Sequence, residues 1–171
     1  MQALQAPITL GLIGYGEVGK TFATGLKNAA GVQAVSAWDL KFAQPQAREG
    51  ELAHAAGHGI AAQPGMAQLC QASRLIISAV TASNTLAGAE EAARHLQPGT
   101  VLLDLNSASP GTKQRAAEVI EAAGGHYVEA GVMTSVPPYG IRVPMLLGGA
   151  HAAPRKCANP PPPCAKPASS R

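Results

Sequence analysis

The clearest chemical signal in this chain is a trio of glycines, Gly14, Gly16 and Gly19, with an acid, Asp39, about twenty residues further on. The stretch Gly14-Tyr15-Gly16-Glu17-Val18-Gly19 follows directly on the apolar run Ile8–Ile13. It opens a segment of helical spacing, Glu17–Ala30, with Val18, Phe22 and Leu26 on one face. In such a loop the first glycine permits a tight turn and the second leaves room for a pyrophosphate. The third lets the helix pack closely on a sheet. The N–H groups at the helix start then face the phosphates. Asp39 ends a second apolar run, Val32–Trp38, where a carboxylate accepts hydrogen bonds from ribose hydroxyls and repels a 2′-phosphate. The pattern therefore points to a dinucleotide, NAD in preference to NADP. Lys41 and Arg48 are close enough in sequence to reach a phosphate, which keeps NADP open.

The same segment also fits a triphosphate loop, G-x-x-x-x-G-K-[ST], through Gly14, Gly19, Lys20 and Thr21. Glu17 is a poor neighbour for a triphosphate, and the strand ending in Asp39 fits the dinucleotide better. A second polar cluster, Asn106 and Ser107, lies just past an apolar run, where open α/β sheets bind ligands. The alternative is that these two residues and Ser109 cap the helix opened by Pro110. Lys20 and Lys113 read as solvated helix residues. His54 and His58 are four apart but lack the acid of a zinc-protease motif, so no metal site is expected. Cys70 reads as a small packed hydrophobe.

The elements that must position these residues are short apolar strands alternating with helical segments. Gln46–Ala56, Ala87–Leu96 and Pro110–Ala123 are expected helices, with a small one after Pro64. Strands are expected at Gly59–Ala62, Arg74–Val80, Thr100–Leu105, Tyr127–Ala130 and Val143–Leu147. Continuous apolar strands between helices indicate an α/β, doubly wound, mostly parallel sheet covered on both faces.

Composition sets limits around this. The chain has 171 residues, 46% of them hydrophobic and 4% aromatic, so its core is aliphatic and global disorder is excluded. No apolar run reaches the ~20 residues that span a bilayer, and the first residues lack a charged region followed by an apolar one and a cleavage site, so secretion is not expected. Cys70, Cys157 and Cys164 form no disulfide framework, so a reducing cytoplasm is the expected location. Residues 1–153 hold nine Lys or Arg against ten Asp or Glu, and residues 154–171 add four basic groups and no acid. The net charge of +3 thus comes from the tail and gives no basic patch for nucleic acid. The tail, with Pro160–Pro163, is expected to be a disordered proline-rich segment.

Several segments together resemble the β-hydroxyacid dehydrogenase superfamily, which includes 6-phosphogluconate and 3-hydroxyisobutyrate dehydrogenases. They are the glycine loop with Asp39, Ser78-Ala79-Val80-Thr81-Ala82-Ser83, Asp104-Leu105-Asn106-Ser107-Ala108-Ser109-Pro110, and Gly124-Gly125-His126-Tyr127-Val128-Glu129-Ala130. The third resembles the superfamily's D-x-S-T-x-x-P segment, with Asn106 and Ser107 in place of Ser and Thr. Gly131–Ser135 stands where the superfamily usually has P-V-S-G-G. The chain is thus similar to a less characterised, phosphogluconate dehydrogenase-like branch.

The resemblance implies a Rossmann-type domain over residues 1–153 with NAD, or alternatively NADP, as cofactor. It places Val80, Thr81, Ser83 and Asn84 beside the nicotinamide and its ribose, the polar three alternatively capping the next helix. It places Asn106 and Ser107 at a small hydroxyacid. The superfamily continues into a helical domain carrying a Lys and an Asn, which has no counterpart here, so no catalytic residue is assigned. The expected function is the NAD(P)-binding domain of a hydroxyacid oxidoreductase, incomplete and weakly active or inactive alone. The alternatives are a dinucleotide-binding regulatory module and the product of a disrupted dehydrogenase gene. Exposure of Val132, Met133 and Val136 is expected to favour a homodimer, with neither nucleic acid nor membrane as a partner.

Overall fold

The structure, a computed structural model, describes residues 7–152. The proline-rich tail expected at 154–171 lies outside them. Seven strands form one sheet in the order β3-β2-β1-β4-β5-β6-β7. They are β1 (Ile8–Ile13), β2 (Val32–Trp38), β3 (Ala61–Ala62), β4 (Leu75–Ser78), β5 (Val101–Asp104), β6 (His126–Val132) and β7 (Met145–Gly148). Strands β1 to β6 run parallel, whereas β7 returns antiparallel on β6, pairing Gly131 with Leu146. The helices are α1 (Glu17–Leu26), α2 (Pro45–Gly57), α3 (Met66–Ala72), α4 (Thr85–Ala93) and α5 (Pro110–Ala122).

Both faces of the sheet are covered, which explains why the central strands are almost wholly apolar. On one face Phe22 and Ala23 of α1 and Ala55 of α2 pack on Leu10, Leu12, Val35 and Ile77. On the other, Leu69 and Cys70 of α3, Ala92 of α4, and Ala116 and Ile120 of α5 pack on Ile13, Ile76 and Leu102. The helix residues are mostly small, so an aromatic-poor chain still closes its core. Burial, with a smaller push from Glu91, raises the Cys70 thiol to about 12, in keeping with a packing role.

Helix α1 stops at Leu26 rather than at Ala30, because residues 27–31 turn the chain into β2. Gly31 there takes φ +86°, and its carbonyl accepts the Ile8 N–H at 2.8 Å. The strand expected at Gly59–Ala62 shrinks to Ala61–Ala62, since Gly59 and Ile60 donate back to the end of α2. Helix α4 starts two residues early, at Thr85, and ends at Ala93. Val136, expected at the surface, is buried in the α1–α2 layer, and Val132 packs partly against that layer. Met133 is 60% exposed, as are much of Leu146 and Leu147 on the edge strand.

Candidate functional site

The carboxyl ends of β1, β2 and β4 open into a cleft of about 640 Å³. Gly14, Gly16, Asp39, Val80, Thr81 and Asn84 line it together with Ile13, Trp38, Leu40, Lys41 and Met66. Residues from four separate segments thus meet at the point where β1 is followed on one side by β2 and on the other by β4. In open α/β sheets this reversal of strand order is where ligands bind.

The three glycines have separate physical reasons. Gly14 takes φ +94°, and a Cβ there would fall 2.4 Å from the Ala79 carbonyl oxygen, so the turn passes hard against the end of β4. A Cβ on Gly19 would fall 2.0 Å from the Gly14 carbonyl oxygen, so α1 sits directly against its own loop. Gly16 is different: a Cβ there meets nothing within 4 Å. It is the N-cap of α1 and has no side-chain cap, and its carbonyl accepts the first helical bond, from Lys20 N–H at 2.8 Å. The amides before Lys20 have no partner within the helix. Bare backbone, free amides and empty space at one spot fit a pyrophosphate.

Asp39 stands one residue past β2. One carboxylate oxygen accepts the Tyr15 backbone N–H at 2.6 Å and the other the Lys41 N–H at 2.8 Å. A carboxylate has further lone pairs, so the half-buried Asp39 can still accept hydroxyl donors from the cleft. Tyr15 therefore reaches the site through its backbone only; its side chain is fully buried and its hydroxyl pairs with His54 Nδ1 at 3.1 Å. Glu17 is exposed on the first turn of α1, and Val18 packs partly against the core. Neither side chain lines the cleft.

The triphosphate reading does not survive the geometry. The Lys20 ammonium is bound to Glu51 of α2 at 2.7 Å, and the Thr21 hydroxyl donates to the Glu17 carbonyl at 2.8 Å. Both side chains are thus engaged by partners within the protein, and neither lines the cleft. Lys20 is thus an ion-paired residue rather than a freely solvated one. Lys113 departs further from expectation. It is 6% exposed, and its ammonium lies 3.3 Å from Glu129 of β6.

At the β4 side, Thr81 and Asn84 line the cleft, while Ser83 is exposed outside it with its hydroxyl 3.1 Å from that of Thr81. Asn84 takes the N-cap position of α4 but makes no side-chain cap bond. Asn106, expected at the substrate, is 4% exposed. Its Oδ1 accepts the Val80 N–H at 2.7 Å, its Nδ2 donates to the Ser78 hydroxyl at 3.0 Å, and its own N–H goes to Asp104 at 2.7 Å. The amide thus joins the end of β5 to the end of β4 and fixes the loop that lines the cleft. Asp104 is held in turn by the Tyr127 hydroxyl, which donates at 2.5 Å. Burial, then this bond, pushes the Tyr127 phenol pKa upward. Ser107 is exposed beside Asn106, and the α5 cap falls to Ser109, which accepts the Thr112 N–H at 3.3 Å. Trp38, Leu40 and Met66 are cleft residues that motif spacing alone does not reveal. Trp38 was traceable only as the residue before Asp39.

Among the described residues no helix is long and apolar enough to cross a membrane, and no group of three or more His, Cys, Asp or Glu is placed to hold a metal ion. A parallel sheet in this order, with a glycine loop between β1 and α1 and an acid after β2, defines a dinucleotide-binding α/β domain. The chain belongs to the family of the NAD-binding domain of 6-phosphogluconate dehydrogenase, whose sequence profile matches residues 9–157. Among solved structures it is similar to a conserved hypothetical protein from Sinorhizobium meliloti 1021, with 35% identity and a TM-score of 0.78. That match covers 84% of this chain and 48% of the other. Mycobacterium tuberculosis 3-hydroxyisobutyrate dehydrogenase, solved with L-serine, shares the fold at 18% identity and a TM-score of 0.72, over 84% and 47% of the two chains. An imine reductase variant from Myxococcus stipitatus, solved with NAD+, shares it at 22% identity and 0.67, over 85% and 48%. The chain therefore spans about half the length of these structures. No curated protein matches it in sequence.

Proposed function

We propose that the cleft holds NAD in preference to NADP, as the cofactor half of an oxidoreductase acting on a small hydroxyacid-like substrate. The observation that carries this is the Asp39 carboxylate on the wall of the cleft, fixed by two backbone amides beside the glycine loop. In such a site the nicotinamide, when bound, accepts or returns a hydride. The residues of this chain would bind and orient it. The amides at the start of α1 take the pyrophosphate, and Asp39 takes the ribose hydroxyls. Thr81 and Asn84, on a loop held by Asn106, would contact the nicotinamide ribose. Ser107, exposed at the end of β5, is the side chain free to reach a substrate acid.

The groups that ionise along the cleft are Asp39, Lys41 and Glu91. Asp39 and Lys41 belong to the β2 end, and Glu91 is occupied on α4 with Arg94 at 2.8 Å. With these groups so engaged, cofactor binding with little or no oxidation of 2- or 3-hydroxyacids is the expected behaviour, read as NADH absorbance.

Calorimetry with NADH and NADPH tests the cofactor assignment. A carboxylate hydrogen bond is worth about 1.5–3 kcal/mol, so NADH should bind roughly tenfold tighter or more. Asp39→Ala should remove most of that gap. Equal or tighter NADPH binding by the unaltered chain would contradict the assignment.

A further inference from the structure

The glycine loop is braced from behind by a cluster of ionisable groups that the cofactor reading does not use. The Tyr15 side chain leaves the loop inward and is wholly buried between α1 and α2. Its ring meets Phe42 and His54 edge-on, each at 5.6 Å, and its hydroxyl pairs with His54 Nδ1 at 3.1 Å. Among the described residues that nitrogen is the hydroxyl's one partner. The backbone N–H of the same Tyr15 is the donor that holds Asp39 at 2.6 Å. A single residue thus links a histidine on α2 to the carboxylate on the cleft wall.

We propose that His54 is a positioning residue for the dinucleotide site: by anchoring the Tyr15 ring it sets the backbone amide that orients Asp39. This rests on the reading of Asp39 as the ribose contact. His54 touches no part of the cleft itself.

The chemistry of the contact makes the anchor depend on protonation. With its proton on Nε2, a neutral imidazole accepts the Tyr15 hydroxyl at Nδ1. An imidazolium carries a proton on both nitrogens, so the contact has to reverse, with Nδ1–H donating to the phenol oxygen and the buried Tyr15 hydroxyl hydrogen left without an acceptor, which weakens the anchor. The surroundings oppose that charge. Lys20 of α1 lies 5.7 Å above the Tyr15 ring, and His58 stacks on His54 at 4.3 Å. Lys27, just past the end of α1, donates to the His58 carbonyl, and Lys41, after β2, lies 3.7 Å from Glu51 of α2. Glu51 is the one acid in the cluster, and Lys20 holds it at 2.7 Å. Burial, then His58 and Lys20, push the His54 pKa below its ordinary 6.5, against the opposing pull of Glu51. The neutral, bond-accepting form is therefore the resting one. It gives way only as the pH falls below that ordinary value.

The test uses the full chain, with His54→Gln and His54→Leu. Glutamine can accept the Tyr15 hydroxyl through Oε1 and does not titrate; leucine can do neither. NAD+ affinity is measured by calorimetry at pH 7.5 and pH 5. The unaltered chain should lose about fivefold in affinity across that interval, a modest coupling between two sites. His54→Gln should match it at pH 7.5 and lose less at pH 5. His54→Leu should bind about fivefold more weakly at both. In parallel, NMR on the ligand-free chain follows the Tyr15 amide shift, which should move with the His54 titration and stay flat in His54→Gln. A Tyr15 amide that ignores His54, or the same pH profile in His54→Gln as in the unaltered chain, would overturn the proposal. Failure of the unaltered chain to bind NAD+ at either pH would instead overturn the reading of the cleft, and the NMR series would still decide the role of His54.

Discussion

Two aspartates sit at the carboxyl ends of parallel strands in this sheet, and they do different work. Asp39 follows β2 and Asp104 ends β5, and each accepts a backbone N–H from a nearby loop, from Tyr15 and from Asn106 respectively. Asp104 is 1% exposed, with its remaining oxygen taken by the Tyr127 hydroxyl. Asp39 remains half-buried on the wall of a cleft, with lone pairs to spare. On the reading proposed for the cleft, the same side chain at the same kind of position serves as a ligand reader where the sheet opens, and it is a loop latch where a neighbouring strand closes over it. What decides is the covering, here a tyrosine from β6.

Removing each carboxylate separates the two roles by their effect on stability. Asp104→Ala leaves a buried hydroxyl and a buried amide without acceptors and should cost about 3 kcal/mol of unfolding free energy. Asp39→Ala frees two amides beside an open cleft, where water can take the place of the lost carboxylate, and should cost about 1 kcal/mol. Urea melts would check both; equal costs would erase the distinction between latch and reader. A smaller effect concerns alkaline pH. The Tyr127 phenol has its folded pKa raised above the ordinary 10, and so, by burial and then Glu51, does Tyr15. A group with a raised folded pKa stabilises the fold below its unfolded value and loses that contribution as the pH rises past it. Stability should therefore fall above pH 10, and less steeply in Tyr127→Phe, as read from urea midpoints at pH 9 and 11.

The sequence made the reader end of the sheet legible and the latch end much less so. Strands Ile8–Ile13 and Val32–Trp38 form with the expected bounds, because glycines and an aspartate punctuate apolar runs of strand length. The glycine loop could be read because Gly14 and Gly19 answer backbone demands of the turn, while Gly16 leaves the start of α1 open. Asn106 could not, since its amide partners, Val80 and Ser78, lie more than twenty-five residues away across the sheet. Lys113 was hidden for the same reason: its burial depends on Glu129, which reaches it from another element. The reversal of β7 left no signal either, because a four-residue apolar run reads alike in both directions. Local chemistry is written locally, whereas latches are visible only after strands have been paired.

Gly16 separates the two kinds of residue most cleanly, because it is the loop glycine whose side of the backbone is open. Valine at that position meets no protein atom at its Cβ, so thermal stability should change little. The same side chain would stand where the pyrophosphate has to approach the amides of α1. Calorimetric titration of NADH into the unaltered chain and into Gly16→Val is therefore the most direct measurement. The first should bind, and the second should lose about a hundredfold or more at an unchanged melting temperature. Equal NADH affinity in the two proteins would rule out a pyrophosphate at Gly16.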